Sequence, residues 1–263
     1  MKTRNAMALT GLNTANPEIK IAHMERTKLG LQPGMMKTAA ALFLLVISTL
    51  TASAQKFTVL STLSKYGIDA SILNASTTQQ PEDYAYDFKQ TTITAGKQNT
   101  TVAKFDPSSP KEEQWTVVSV DGKSPSKSET NTFRKNQAKQ STSDQTDESS
   151  YKIEKESPDH LVISYKPDPN AVPKDAAFMK DCRSYMTINL KTKKLEQVQV
   201  LNEKPVKIKI LNAEKFDIVM KFNWNDQAKR YFCLSQNLNM QAKFMGQPVT
   251  VETITEYSNY SKK

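Results

Sequence analysis

Few residues in this sequence could carry acid–base or nucleophilic chemistry. His160 is one of two histidines in the chain, and it stands beside Asp159. A Ser-His-Asp triad could use this pair, but the G-x-S-x-G motif that presents a nucleophilic serine is absent. Ser157-Pro158, just before the pair, is typical of a turn, which predicts that His160 is a solvated histidine in a hairpin loop. The sequence therefore predicts no catalytic residue and no enzymatic activity.

Metal and cofactor sites are not predicted either. Two cysteines far apart in sequence and a single histidine beyond residue 54 give no zinc-ligand spacing. The acids Asp83, Asp87, Asp144 and Asp147 lack the central glycine and the terminal glutamate of a calcium-binding loop. The seven glycines form no phosphate-binding motif. We therefore expect no metal and no cofactor.

The two cysteines, Cys182 and Cys233, leave a disulfide open. Two cysteines in an exported chain often pair. However, Cys182 falls on the apolar face of its predicted strand, whereas Cys233 shares its register with Tyr231 and Ser235. Thiols on opposite faces of a sheet meet only where a bulge or a second layer intervenes, so the sequence does not decide between a bridge and two free thiols.

The most apolar feature of the chain is an alternating stripe near its C-terminal end. Such a stripe is either ordinary core or the lining of a cavity for an apolar ligand, and methionine suits adaptable apolar sites. If a ligand cavity exists, the sequence predicts that it is lined by these residues of two successive strands: Phe216, Ile218, Met220, Phe222, Trp224, Phe232, Leu234 and Met240.

An export signal is predicted at Met36 to Gln55. Lys37 supplies a positive start, Ala39 to Leu50 is an apolar run too short to span a membrane, and Ala52-Ser53-Ala54 is a cleavage box. Residues 35–54 are thus predicted to be a signal peptide cut between Ala54 and Gln55, and residues 1–34 a gene-model extension. No cysteine follows the cleavage box, so the mature chain is expected to be periplasmic or secreted, without a membrane anchor.

Charge argues against a nucleic-acid partner. The chain has 36 Lys and Arg against 27 Asp and Glu, a net charge of +9. Six of these bases and two of these acids precede Gln55, which leaves a net charge of +5 for the expected mature chain. The remaining bases are spread along predicted strands and form no block, as on an ordinary solvated surface.

The pattern of elements predicts one mostly β domain over residues 55–263. A helix is expected over residues 57–73, followed by strands with period-two alternation joined by short turns. Ser126 and Glu129 have capping-box spacing at the start of an inserted helix that reaches about Ala138. Residues 139–150 are polar and low in complexity, which predicts a mobile loop. From Arg183 onward the chain is expected to form an antiparallel meander with one buried face.

Two resemblances extend this interpretation. The segment from Phe105-Asp106-Pro107 through Trp115 to Lys123 resembles one found in uncharacterised exported bacterial proteins. The order of signal peptide, helix, strands, inserted helix and long meander resembles the lipoprotein-localisation (LolA-like) half-barrel superfamily. This second resemblance implies an α+β, mostly β fold in which a curved antiparallel sheet wraps one or two helices and holds acyl chains in an apolar cavity.

Two functions are compatible with these observations. The first is a non-enzymatic carrier or sensor of lipid, acyl or other apolar ligands in the cell envelope. The alternative is a structural or protein-interaction domain of the envelope that has no small-molecule ligand and binds an envelope protein partner instead. A concave side of the sheet filled solid by side chains and helices, with no pocket of drug-like size, would contradict the first function. A closed apolar interior with a conspicuous exposed patch would favour the second.

Overall fold

A computed structural model describes residues 54–138 and 145–263 of the chain. The described strands form one open, curved antiparallel sheet. Its order is β3-β2-β1-β11-β10-β9-β7-β6-β5-β4, with β8 paired to β9 beside this path. The predicted α+β, mostly β class with a curved antiparallel sheet is confirmed. The strands are β1 (Tyr84–Thr94), β2 (Lys97–Phe105), β3 (Trp115–Val120), β4 (Thr146–Glu156), β5 (His160–Pro167), β6 (Cys182–Asn189), β7 (Lys194–Asn202), β8 (Val206–Ile208), β9 (Leu211–Asn225), β10 (Arg230–Phe244) and β11 (Gln247–Lys262).

The first described helix, α1, covers residues 54–65. Val59 and Leu63, four residues apart and therefore on one helix face, are its fully buried side chains. The helix ends before Gly67, which has a φ of +62° that other residues adopt at a cost. Asp69 then caps a separate 3-10 turn at Ala70–Leu73, because its side chain accepts a hydrogen bond from the Ser71 N–H. The single helix predicted over residues 57–73 is therefore wrong in its second half.

The face of the sheet against which α1 packs is called here the inner face. Val59 and Leu63 meet side chains of β4, β5, β6, β7, β9 and β10 there, and these form the α1 cluster. Ile72 from the 3-10 turn closes the same cluster. Its buried strand residues are Tyr151, Leu161, Ile163, Met186, Ile188, Leu195, Val198, Phe222, Tyr231 and Cys233.

A second cluster on the inner face lies farther along the long strands. The 3-10 segment Lys174–Asp181 supplies Phe178 and Met179, which pack against it. Met220 contacts both this cluster and the α1 cluster. The buried members of the second cluster are Cys182, Val200, Val206, Ala213, Phe216, Met240 and Ala242.

The inserted helix, α2, spans Lys127–Ala138. It begins as its capping box predicts. The Ser126 N–H donates to Glu129 Oε2 at 2.7 Å, and the Glu129 N–H donates to Ser126 Oγ at 3.2 Å. The helix has no fully buried residue. Phe133 packs on Phe88 and Trp115, and Arg134 Nε donates to the Trp115 carbonyl at 2.9 Å.

Two local predictions need correction. Residues 139–144 of the predicted mobile loop lie outside the described residues, but residues 146–150 form the start of β4 rather than a loop. Ser150 is buried there, and its Oγ accepts from the Lys166 N–H at 2.8 Å. His160 also begins a strand, β5, and does not lie in a hairpin loop. At both places, pairing with a neighbouring strand extends the sheet over polar residues whose composition favours a turn.

Within the described residues, no helix has both the length and the apolar composition needed to cross a membrane.

Candidate functional site

The predicted stripe on β9 lies on the inner face. Residues directly opposite each other in a sheet share a face, and Phe216 pairs with Met240, Ile218 with Leu238, and Phe222 with Cys233. Phe216 and Phe222 are buried, each in a different cluster. Ile218, Met220 and Trp224 are only half-buried. The structure thus brings together all five predicted residues of β9 and adds Met240 from β10.

The other two predicted residues of β10 do not join them. The pairing of β9 and β10 shifts between Cys233 and Ser235, so Leu234 is the extra residue of a β-bulge, with 46% of its surface exposed. Phe232 pairs with Asn223, on the face opposite Phe222. The prediction that Phe232 and Leu234 line the same surface as Met240 is therefore wrong, because one inserted residue reverses the alternation on either side of it.

Beside the second cluster, the inner face carries a row of half-buried apolar side chains that pack against this cluster. We call this surface the trough. Its apolar part is made by Ile218 and Met220 on β9, Leu238 on β10 and Val251 on β11, all of them half-buried. On the same face, the neighbouring residues of β10 and β11 are polar: Gln236, Thr253 and Thr255. The trough has an apolar floor with hydroxyl and amide groups along one side, which could hold a chain-like apolar molecule that has a polar end.

Leu238 and Val251 were not among the predicted ligand-binding residues. Leu238 and Met240 alternate with asparagines in β10, and Val251 follows Val249 at period two, so alternation marks Leu238 and Val251 as apolar positions. Their position beside Ile218 depends on the register of three strands. The bulge at Leu234 sets that register, and no pattern in the sequence marked it.

Two cavities described in the structure lie away from the trough. One, of about 400 Å³, is lined by Tyr66, Glu156, Ser157, Pro158, Leu190 and Lys191. There, Lys65 Nζ donates to Glu156 Oε1 at 2.5 Å and the Tyr66 hydroxyl donates to the same oxygen. These two hydrogen bonds, that from Lys65 first, hold the pKa of Glu156 below its usual value. Glu156 is therefore an ionised tether of α1 to β4 and is unsuited to act as a general acid.

The second of these cavities is lined by Thr146, Asp147, Glu148, Asp168, Pro169 and Asn170. In the part of the chain that the structure describes, no group of three or more His, Cys, Asp or Glu side chains has a metal-binding arrangement. Asp147, at the irregular start of β4, accepts from the Ser149 N–H, and Asp168, in the turn after β5, accepts from the Asn170 N–H. Glu148 pairs with Lys56 of α1. The acids of this cavity therefore have structural partners.

The half of the inner face under α2 is aromatic. Phe88 pairs with Tyr257 across β1 and β11, and both rings meet edge to face. Tyr86 contacts four other rings. Phe232 precedes Ser235, where the pairing of β10 with β11 begins, and its ring stacks on Tyr260 at the edge of this network, with ring centroids 4.5 Å apart. Burial raises the pKa of Tyr86, Tyr257 and Tyr260, so these phenols stay protonated.

Both cysteines are free and buried. The bulge at Leu234 places Cys233 opposite Phe222, which is the apolar face and not the other face that alternation alone predicts. Cys233 lies in the α1 cluster and Cys182 in the second cluster. Burial raises the pKa of Cys182 to about 11 and that of Cys233 to about 12. Neither thiol is prepared for nucleophilic chemistry.

His160 and Arg183 have structural partners. His160 Nε2 lies 3.1 Å from Glu196 Oε2 on an exposed surface. Buried Arg183 donates from Nε to Glu203 Oε1 at 2.8 Å, and from Nη1 to the Ser150 carbonyl and Ser164 Oγ. Hydrogen bonds from Lys166 first, and from Arg183, lower the pKa of Glu203. This network joins β4, β5, β6 and the segment after β7.

No family model matches the chain, and a search of curated proteins finds no match. Among solved structures, the chain is similar to a DUF1329 family protein from Desulfovibrio piger. The two are 11% identical, the alignment covers 69% of this chain and 86% of that one, and the TM-score is 0.35. This is a weak structural resemblance, and it assigns no function.

Proposed function

We propose that the protein is an exported, non-enzymatic carrier or sensor of lipid, acyl or other apolar ligands in the cell envelope, and that the trough holds the ligand. The single observation that carries this proposal is the half-buried state of Ile218, Met220, Leu238 and Val251 on the inner face, beside the second cluster. Apolar side chains left partly open on an inner face gain free energy when an apolar molecule covers them.

The composition of the trough suggests the class of ligand. Met220 is flexible and tolerates ligands of different shape. Thr255 lies two strands from Met220, paired with Gln236, and its buried hydroxyl accepts a hydrogen bond from Gln90 Nε2 at 3.2 Å, so polar groups are present at the edge of the apolar floor. A single acyl chain with a neutral polar end matches this arrangement. The resemblance to LolA-like carriers supports the same class of ligand.

The position of the buried residues in α1 supports export with cleavage before Gln55. The first fully buried side chain of α1 is Val59, and Ala54 and Gln55 are exposed. Cleavage between them therefore removes no described core side chain. Intact-mass analysis of protein recovered from the envelope or medium should give a chain that begins at Gln55. Peptides from residues 3–34 in native cells would contradict this assignment.

The test of ligand carriage begins with protein purified from its own envelope. Native mass spectrometry followed by lipid extraction should show a bound lipid or fatty acid. In parallel, titration with oleate as the probe should show saturable binding that Met220→Gln weakens about tenfold, because the amide loses apolar contact without a large change in volume.

Val219 provides the matched control, since it lies between Ile218 and Met220 but points to the other face. Val219→Thr should bind oleate as the unaltered protein does. Equal binding by Met220→Gln and the unaltered protein, with no lipid in the extract, would contradict the carrier proposal.

A second candidate function is a protein-interaction domain of the envelope. The observation that favours it is β3, which lies at the edge of the sheet formed by the described strands and exposes Val118 on an uncharged strand. Such an edge can accept an extended segment of a partner. Absence of lipid, together with co-purification of an envelope protein that Val118→Lys abolishes, would establish this function in place of ligand carriage.

A further inference from the structure

Two hairpin turns lie side by side at one end of the sheet. Ile208 pairs with Leu211 around the turn Lys209-Ile210, and Phe244 pairs with Gln247 around the turn Met245-Gly246. Because β9 and β10 are neighbours, with Asn212 paired to Lys243, both turns project from the same end. We call residues 207–211 and 243–247 the twin tips.

The twin tips carry an unusual share of exposed apolar surface. Ile210 is 70% exposed, Phe244 42% and Met245 86%. The large hydrophobic side chains exposed elsewhere in the described residues, Phe57, Val118 and Leu234, are single and lie on separate elements. Scattered exposed hydrophobic residues need no explanation, but three on two adjoining turns form a patch.

The backbone conformation at Met245 does not favour methionine. Met245 has a φ of 50° and Gly246 a φ of 83°, as in the two-residue turns that favour Asn-Gly or Asp-Gly. A methionine in the left-handed region is strained, and here its side chain is also exposed to water. Asparagine would suit both the backbone and the solvent better, so the methionine is unfavourable for the isolated fold and calls for a function outside it.

The charges around the twin tips indicate the partner. Lys207, Lys209 and Lys243 are exposed beside the apolar side chains. Lys243 Nζ lies 2.7 Å from Glu214 Oε1, whereas Lys207 and Lys209 have no ion pair within the described part of the chain. Apolar side chains that project from narrow turns, flanked by unpaired lysines, complement the acyl boundary and the phosphates of an anionic bilayer surface.

We propose that the twin tips dock the protein on an anionic lipid surface, with Ile210, Phe244 and Met245 in the acyl boundary and Lys207 and Lys209 at the headgroup phosphates. Ile208 and Leu211 of the twin tips, and Val249 just behind them, pack on the second cluster, which also contains Phe216 and Met240. A docked protein would thus turn this end of the inner face toward the bilayer. The docking itself does not depend on ligand carriage.

Vesicle flotation tests the proposal, with protein purified in the form that its cells produce. The unaltered protein should float with phosphatidylcholine vesicles that contain phosphatidylglycerol, and less with phosphatidylcholine alone. The double variant Ile210→Ser with Met245→Asn should lose about tenfold or more in partition, because two apolar side chains no longer enter the bilayer. Lys207→Gln with Lys209→Gln should lose roughly fivefold per lysine, and raised salt should mimic this loss.

Three controls keep the result specific. Phe57→Ser removes an apolar side chain that is 72% exposed but lies on α1, and it should leave flotation unchanged. Met245→Asn alone should have a melting temperature equal to or above that of the unaltered protein, which separates lost docking from lost folding. Met220→Gln in the trough should also float normally, so failure of ligand carriage is distinguishable from failure of docking.

Several outcomes would overturn the proposal. They are equal flotation of the unaltered protein and the double variant, an equal loss with Phe57→Ser, and no flotation of the unaltered protein at low salt. In the last case, capture of an envelope protein that depends on Ile210 and Met245 would assign the twin tips to a protein partner. Met245→Trp adds a direct readout, since its fluorescence should shift to the blue when vesicles that contain phosphatidylglycerol are added.

Discussion

The two α-helices of the described structure are held on the inner face by different interactions. α1 is anchored by two fully buried aliphatic side chains, Val59 and Leu63, whereas α2 has no fully buried residue and is held by Phe133 and the hydrogen bond from Arg134. α1 is therefore part of the core of the sheet, and α2 is attached to its surface. The difference shows that equal local helix signals, such as a cap and a favourable length, do not imply equal tertiary stabilisation.

The largest effect expected from this comparison is on α1. Leu63→Ala should lower the free energy of unfolding by about 2–5 kcal/mol, because it leaves a cavity among close-packed aliphatic side chains of the α1 cluster. Urea denaturation followed by circular dichroism measures the change. Leu60→Ala, one turn earlier and only half-buried, is the control and should cost clearly less. Equal costs at the two positions would contradict the description of α1 as a core element.

The reactivity of the buried Cys233 thiol measures independently how well α1 covers the inner face. The burial of Cys233 and the raised pKa of its thiol, about 12, predict labelling by iodoacetamide at least about a hundredfold slower in the folded protein than in denaturant at pH 8. Leu63→Ala should accelerate this labelling, and Phe133→Ala should not. Mass mapping of the labelled peptide decides the outcome. If Cys233 and Cys182 resist labelling even in denaturant until a reductant is added, the two thiols are bridged and the free-thiol structure is wrong.

A smaller effect is expected on α2. Phe133→Ala should cost roughly 1 kcal/mol globally, because the ring is half-buried and its neighbours Phe88 and Trp115 keep their contacts with each other. Hydrogen exchange should show faster exchange confined to α2, with α1 and β5 unchanged. Loss of protection across the whole sheet would show that α2 is as integral to the fold as α1.

The smallest effect expected is that of acid on the two helices. The carboxylates Glu156, which tethers α1, and Glu129, which caps α2, both have a lowered pKa, and both lie at the surface. Each contribution is complete above the unfolded pKa of about 4.3 and is lost as pH falls through the folded pKa. Below about pH 4, α2 should therefore lose exchange protection before α1, which keeps its apolar anchor. Glu129→Gln should remove the pH dependence at α2, and simultaneous loss in both helices would contradict the comparison.

Local chemistry made much of the fold predictable. Period-two alternation predicted the β9 strand, and the pairs Ala95-Gly96 and Asp121-Gly122 predicted turns at which both residues have positive φ. The capping box at Ser126 predicted the start of α2. These features depend on residues adjacent or nearly adjacent in the chain, so the sequence displays them directly. Residues 146–150 were misassigned because polar composition predicts a loop, whereas pairing with β5 extends the strand.

The sequence alone determined the class of the fold, the apolar stripe of β9 and the absence of catalytic motifs, because each of these is a property of residue types and short spacings. Only the tertiary structure decided which residues meet. One extra residue at Leu234 moved Phe232 into the aromatic network and turned Cys233 toward Phe222. Strand pairing brought Leu238 and Val251 beside Ile218, and set the turns of Ile210 and Met245 side by side. A bulge changes the alternation of every residue beyond it, and strand register joins residues far apart in sequence, so neither result could be derived from local pattern.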